Sequence, residues 1–221
     1  TYQYTVLFEN VDSATNSVQL VRVVDTLDLN VFNASTLRCN IVGLGPSFFP
    51  QPDTFALAIV DTLDTRAWNS LYTAYGFSFD TLSGAAEWVF QGLDPISLMP
   101  TTDPLAGILP PDTMPPMGTG LVSYTISLQS TVPHAAIVAN EATIYFDTND
   151  PITTPPWTNT VDLLAPVSWV DSMPEFTTDT SFIVSWSGTD SVQSGIEYFD
   201  IYYTVNNDTV FEPWLQVTSE T

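Results

Sequence analysis

Apolar residues recur at every second position in short runs along this chain, and Gly, Pro, Asn and Asp separate the runs. Such alternation puts successive side chains on opposite faces of an extended backbone and predicts half-buried β-strands. No window of helical length carries an apolar stripe at a period of 3.6, and only residues 64–75 leave room for a helical turn. The chain therefore reads as all-β, with strands expected at 2–9, 18–25, 36–42, 54–61, 75–80, 86–91, 121–129, 137–147 and 154–163. In the seventh, Val122, Tyr124, Ile126 and Leu128 point one way. Phe77, Phe79, Trp88 and Phe90 supply bulky inward residues, enough for two antiparallel sheets packed face to face as a β-sandwich.

The stretch 137–163 is the most specific. Ala142, Ile144 and Phe146 share one face, while Glu141, Thr143, Tyr145 and Asp147 share the other. An acidic turn follows, and Pro151, with no N–H to donate, makes the chain leave the ladder before it returns. Residues 92–120 differ from everything around them, with seven prolines and no sustained alternation. A connection this long either straps a sheet edge or face or offers Leu98, Met99, Leu105, Ile108, Leu109, Met114 and Met117 to a partner; a strap is the favoured reading.

After Leu164 the phrase Ala165-Pro166 restarts a strand and the pattern turns aromatic, through Trp169, Phe182-Ile183-Val184-Ser185-Trp186 and Phe199-Asp200-Ile201-Tyr202-Tyr203. A first domain over 1–163 and a second over 164–221 are expected. The second has material for about four strands against the ~7 that close a sandwich, so it reads as partial. Thr1 already lies inside a strand pattern, which points to a larger parent protein.

Charge narrows the function classes. Asp+Glu number 25 against 3 for Lys+Arg, a formal net charge of -22, and the three cations are Arg22, Arg38 and Arg66; there is no lysine. Nucleic acid and anionic membrane surfaces, which are bound through clustered cations, are not expected partners. No run approaches the ~18 apolar residues of a membrane span. A strongly negative exterior draws divalent cations or basic partners, keeps a protein soluble, or marks adaptation to salt; composition does not separate these. The single Cys39 excludes an internal disulfide and sits in core alternation with Leu37 and Ile41. Asn33-Ala34-Ser35 and Asn207-Asp208-Thr209 match glycosylation sequons.

Five ordered blocks carry a family likeness: YTVLFEN-x-x-x-A at 4–14, VVDTLD at 23–28, DPLAGILPPD at 103–112, GLVSYTI at 120–126 and NEATIYFDTNDPITTP at 140–155. Together they resemble an Ig-like repeat of large secreted and cell-surface bacterial proteins, including many with type IX-type export, and related to DTLP-type surface repeats. Residues 181–215 look like the start of a fibronectin type III-like module. The resemblance implies an extracellular or cell-surface spacer, stalk or adhesive module with no catalytic residue. In the family's turn before the strand at 137 this chain has VPHAA, so His134 is a departure.

Enzyme chemistry is not expected, because one histidine, no lysine and no G-x-S-x-G remove most acid–base and nucleophilic constellations. Without lysine a Lys–Asn crosslink of the kind that locks some surface Ig-like domains cannot form, and calcium is the leading alternative stiffener. Asp25 and Asp28 end one strand, Asp147, Asn149 and Asp150 end another, and in an Ig-like sandwich those loops are expected at the same end, converging on one ion. Asp162 and Asp190 form a second candidate pair at the domain junction. Turn-capping aspartates are the plain alternative for both. Trp68, Trp157 and Trp214 are candidates for stacking on a sugar. The expected function is a non-enzymatic structural or adhesive module whose partners are neighbouring domains, other copies or a surface ligand such as a glycan. A filament or sheath subunit and a carbohydrate-binding accessory module of a secreted hydrolase are the alternatives.

Overall fold

The computed structural model describes residues 1–103, 105–190, 195–205 and 209–219. The chain divides into two units, one of residues 1–132 with 138–159 and one of residues 133–137 with 160–221. Its elements run β1 (Tyr2–Glu9), β2 (Leu20–Thr26), β3 (Phe32–Leu44), β4 (Ser47–Pro50), β5 (Ala58–Asp64), α1 (Arg66–Asn69), β6 (Tyr72–Phe79), β7 (Ala85–Leu93) and β8 (Thr119–Leu128). They continue through β9 (Ile137–Asn140), β10 (Ala142–Phe146), β11 (Ile152–Thr153), β12 (Trp157–Thr160), β13 (Val167–Val170), β14 (Trp186–Thr189), β15 (Phe199–Tyr203) and β16 (Glu212–Thr218). The protein is all-β, with antiparallel sheets and one short helix among the described residues.

In the first unit one sheet has the order β1-β8-β3-β4 and the other β11-β10-β2-β7-β6-β5. Period-two alternation decides which side chains lie between them. Tyr4, Val6 and Phe8 of β1, Val122, Tyr124 and Ile126 of β8, Val21 and Val23 of β2, and Trp88 and Phe90 of β7 are all buried. Rings span the gap: Trp88 stacks on Tyr124 with centroids 5.3 Å apart, and Phe8 meets Phe90 at 6.2 Å and Phe146 at 6.3 Å. Cys39 is a buried free thiol in this core, as its alternation predicted.

Three details depart from the sequence reading. The expected strand at 137–147 breaks at Glu141, because β9 pairs with β12 while β10 pairs with β2 and β11. A fourth strand of the smaller sheet, β4, lies at 47–50, where Phe48 and Phe49 in succession show no alternation. Between 154 and 163 only Trp157–Thr160 is strand.

The proline-rich connection is seamed to the loop between β1 and β2. Val18 N–H donates to the Leu109 carbonyl (2.9 Å), Ile108 N–H donates back to Val18 (2.7 Å), and Asp112 N–H donates to Asn10 (2.8 Å). The Asn10 side-chain amide adds bonds to the Asn16 and Leu109 carbonyls at 3.0 and 2.9 Å. Ile108 and Leu109 are fully buried, whereas Leu98, Met99, Leu105 and Met114 are exposed. Gly107 is required at this seam, since a Cβ there would collide with the Val18 carbonyl.

The second unit contains two two-stranded sheets, β13 with β14 and β15 with β16. Trp186 is buried and meets Trp214 edge-on at 6.3 Å.

Candidate functional site

The inward parity of β2 carries past Val21 and Val23 to Asp25, which places a carboxylate in the apolar core. Asp25 is fully buried. Its Oδ2 accepts a hydrogen bond from the Tyr124 hydroxyl (2.6 Å) and one from the Asn140 amide (2.8 Å), and Asn140 Nδ2 also lies 2.9 Å from the Tyr124 oxygen. Three segments far apart in sequence are thereby tied together: β2 of one sheet, β8 of the other, and the end of β9. Oδ1 is also buried but meets no hydrogen-bond partner among the described residues, and neither does the hydroxyl of Tyr4, whose ring lies 5.5 Å from that of Tyr124.

Removal from water dominates the electrostatics. Burial pushes the Asp25 carboxyl up to about 6, against the pull of the Tyr124 and Asn140 hydrogen bonds and with a further push from the Glu141 charge. Burial likewise drives Tyr4 up to about 12 and Tyr124 well above the usual phenol range, the Asp25 charge adding to both.

Asp25 and Asn140 of the cluster line a groove of about 390 Å³, together with Gln3–Leu7 of β1 and with Glu141, Ala142, Thr154, Pro155 and Trp157. β1 is an edge strand. Asn10 N–H donates to Gly118, and register steps of two from there give the ladder bonds with β8 to Phe8, Val6 and Tyr4. The N–H and C=O groups of Gln3, Thr5 and Leu7 consequently face off the sheet, along the groove.

Residues 107–160 match the family described as Domain of unknown function (DUF7619). Neither the curated proteins nor the solved structures return a match. The DUF7619 segment contains Tyr124 and Asn140 of the cluster, together with Pro155 and Trp157 of the groove wall, while Asp25 and β1 come from outside it.

The expected ion site between two loops is corrected by the strand pairing. β2 and β10 are antiparallel neighbours, with Asp25 opposite Ala142 and Val21 opposite Phe146. Asp25 and Asp28 therefore lie at one end of the pair and Asp147, Asn149 and Asp150 at the other. Each end is occupied locally. Asp28 Oδ1 accepts from the Asn30 backbone and side chain, both at 2.9 Å. Asp147, at φ 49°, accepts from the N–H groups of Gln19 (3.0 Å) and Leu20 (2.8 Å) and so fixes the start of β2. Asn149 N–H donates to Phe146 at 3.0 Å, and Asn149 and Asp150 are exposed. Asp162 and Asp190 both belong to the second unit; Asp162 Oδ1 accepts from Leu164 N–H at 3.0 Å. Among the described residues no three His, Cys, Asp or Glu side chains gather as a metal-binding set.

His134 uses Nδ1 to accept from Leu163 N–H (3.1 Å), a role in holding the turn. Of the three tryptophans, Trp68 packs under Gly45, while Trp157 and Trp214 are 67% and 50% exposed. Asn33 turns its amide oxygen onto Ser35 (2.8 Å to the hydroxyl), and Asn207 lies outside the described residues.

Proposed function

We propose that this chain is a non-enzymatic structural or adhesive module of a large extracellular bacterial surface protein, an Ig-like sandwich over 1–163 followed by a fibronectin type III-like segment over 164–221. The observation that carries this reading is the Asp25–Tyr124–Asn140 cluster. It joins both sheets through the buried Tyr124–Asp25 hydrogen bond, strong in a medium of low polarizability, and adds β9 through the two part-buried bonds of Asn140. A module exposed to pulling needs such a tie, and in a lysine-free chain it cannot be a Lys–Asn crosslink. The acidic surface and the five sequence blocks support an extracellular setting.

Pulling single molecules from their two ends tests this. The first unit should open in one discrete event, and Tyr124→Phe, which leaves the buried carboxylate without its hydroxyl donor, should lower its stability by about 2 kcal/mol and its opening force with it. Extension without a force peak for the first unit would refute the mechanical role. Antibody labelling of intact cells that make the parent protein tests the location. A second reading, glycan binding by an accessory module, is favoured by the exposed Trp157 beside Gln3 and Glu141, and requires that Trp157→Ala abolish binding on a glycan array.

A further inference from the structure

We infer that the groove along β1 is a docking site for an extended segment of another protein, which adds a strand to the free edge of β1 and inserts a lysine toward Asp25. Three observations meet there. The first is the backbone of β1: Gln3, Thr5 and Leu7 present donors and acceptors that no strand among the described residues uses. The second is the floor. Oδ1 of Asp25 and the hydroxyl of Tyr4 are buried polar atoms without partners among the described residues, and both residues line the groove. An acceptor-only carboxylate oxygen buried without a donor is costly, and a cation with several N–H groups satisfies it best. The third is charge. The chain carries a net charge of -22 with no lysine, and its three arginines are engaged elsewhere: Arg22 with Glu87 and the Tyr145 ring, Arg38 with the Ser35 and Leu37 carbonyls, Arg66 with Asp64.

The lysine therefore comes from outside this sequence, which has none to supply, and a second copy of these 221 residues does not fit. On an added strand, the residue opposite Tyr4 faces inward with its Cβ about 5 Å from that of Tyr4. A lysine at that position lays its four-carbon stem along the Tyr4 ring and brings its ammonium to Asp25 Oδ1 and the Tyr4 oxygen. Trp157, two-thirds exposed at the rim, covers the stem. Glu141, also on the groove wall, adds to the negative potential that draws the cation in.

The test uses the full chain and synthetic peptides of about nine residues, a common strand length, in which valine alternates with serine around a central lysine. A matched peptide carries norleucine, which keeps the stem and removes the charge. Titration calorimetry should show the lysine peptide binding at least about tenfold more tightly than the norleucine peptide, the size expected of one charge-assisted contact. Asp25→Asn should erase that preference, since its oxygen still accepts from Tyr124 and Asn140 while its amide N–H groups face the incoming ammonium. Leu7→Pro removes one outward N–H without touching the ladder to β8 and should weaken both peptides. Circular dichroism of each variant establishes that the sheets remain. Equal affinity for the two peptides, no binding of either at millimolar concentration, or a lysine preference that survives Asp25→Asn would each overturn the inference. So would self-association of the chain that Leu7→Pro abolishes, because the groove would then belong to a second copy.

Discussion

Replacing Asp25 with Asn should make the first unit more stable at neutral pH, by an amount that shrinks as the pH is lowered. Burial raises the carboxyl from 3.8 to about 6 on folding. A carboxyl with a higher pKa in the folded state contributes its full stability below the unfolded value, while both states hold the proton. That contribution is lost between pH 3.8 and 6, where only the folded state stays protonated, and stability no longer changes above the folded value. The difference of roughly two units is worth about 3 kcal/mol. Asn accepts from the Tyr124 hydroxyl and the Asn140 amide in the same place and has no charge to bury, so it escapes the loss. Near the sequence pI of about 4.1 the chain approaches zero net charge and tends to associate, so the useful scan runs upward from about pH 5. Over about pH 5 to 7.5 the linkage relation leaves about 1.4 kcal/mol of change in the stability difference between variant and wild type. Urea melts followed by tryptophan fluorescence report it, since Trp88 is fully buried against Tyr124 in the same core. The exposed aspartates held low by local hydrogen bonds, such as Asp80 and Asp94, titrate alike in both proteins and cancel. A stability difference that stays constant across the scan would refute the assignment of Asp25 as a carboxyl that folding protonates more readily.

Asn10→Ala removes the side-chain bond that ties the β1–β2 loop to Leu109 of the proline-rich connection and the one that braces the loop at Asn16; it should cost about 2 kcal/mol and speed chymotryptic cleavage after the exposed Leu105, measured by timed digestion and mass spectrometry. Millimolar calcium should leave the melting temperature unchanged, because Asp25 is committed to the buried cluster and Asp28 and Asp147 to turns at opposite ends of the β2–β10 pair; a rise of several degrees that chelator reverses would place an ion on this protein. The Cys39 thiol, pushed up to about 12 by burial, should resist a disulfide reagent in the native protein and react at once in denaturant, and rapid native labelling would contradict its place in the core.

Strand parity makes much of the cluster legible in the sequence. Tyr124 alternates with Val122 and Ile126, Asn140 keeps step with Ala142 and Ile144, and Asp25 keeps step with Val21 and Val23. A carboxylate, an amide and a phenol that all fall on core-facing positions are a signal of a buried polar network, because each must find a partner out of water. Reading Asp25 as the first residue of an acidic loop conceals it. The convergence of the two acidic loops depends on which segments pair and in which direction, and that is set by tertiary contacts between residues more than a hundred positions apart, which a single sequence does not encode locally. β4 is hidden for a simpler reason: two adjacent phenylalanines between prolines show no alternation. The strap's seam is also invisible to a pattern of apolar residues, since it is made by backbone groups and by Asn10, while Ile108 and Leu109 are buried and Leu105 and Met114 are exposed, a division that the uniform apolar content of the segment does not announce.

The Asp25 cluster sets stability and recognition against each other. If the fold were the only constraint, asparagine at this position would keep both hydrogen bonds and avoid a burial cost of about 3 kcal/mol near neutral pH. A carboxylate has one property that asparagine lacks here, a second acceptor oxygen, and that oxygen is the one left without a donor among the described residues, on a residue that lines the groove. Residues that lower stability while leaving an unsatisfied group at a cavity are the usual mark of a position shaped for a ligand. In the inference drawn above, the free edge of β1 calls for a strand, and the absence of lysine from this sequence calls for a donor from outside it. The pH dependence of folding and the preference for a lysine-bearing strand thus rest on a single carboxyl, that of Asp25, and a variant that removes its charge should abolish both together.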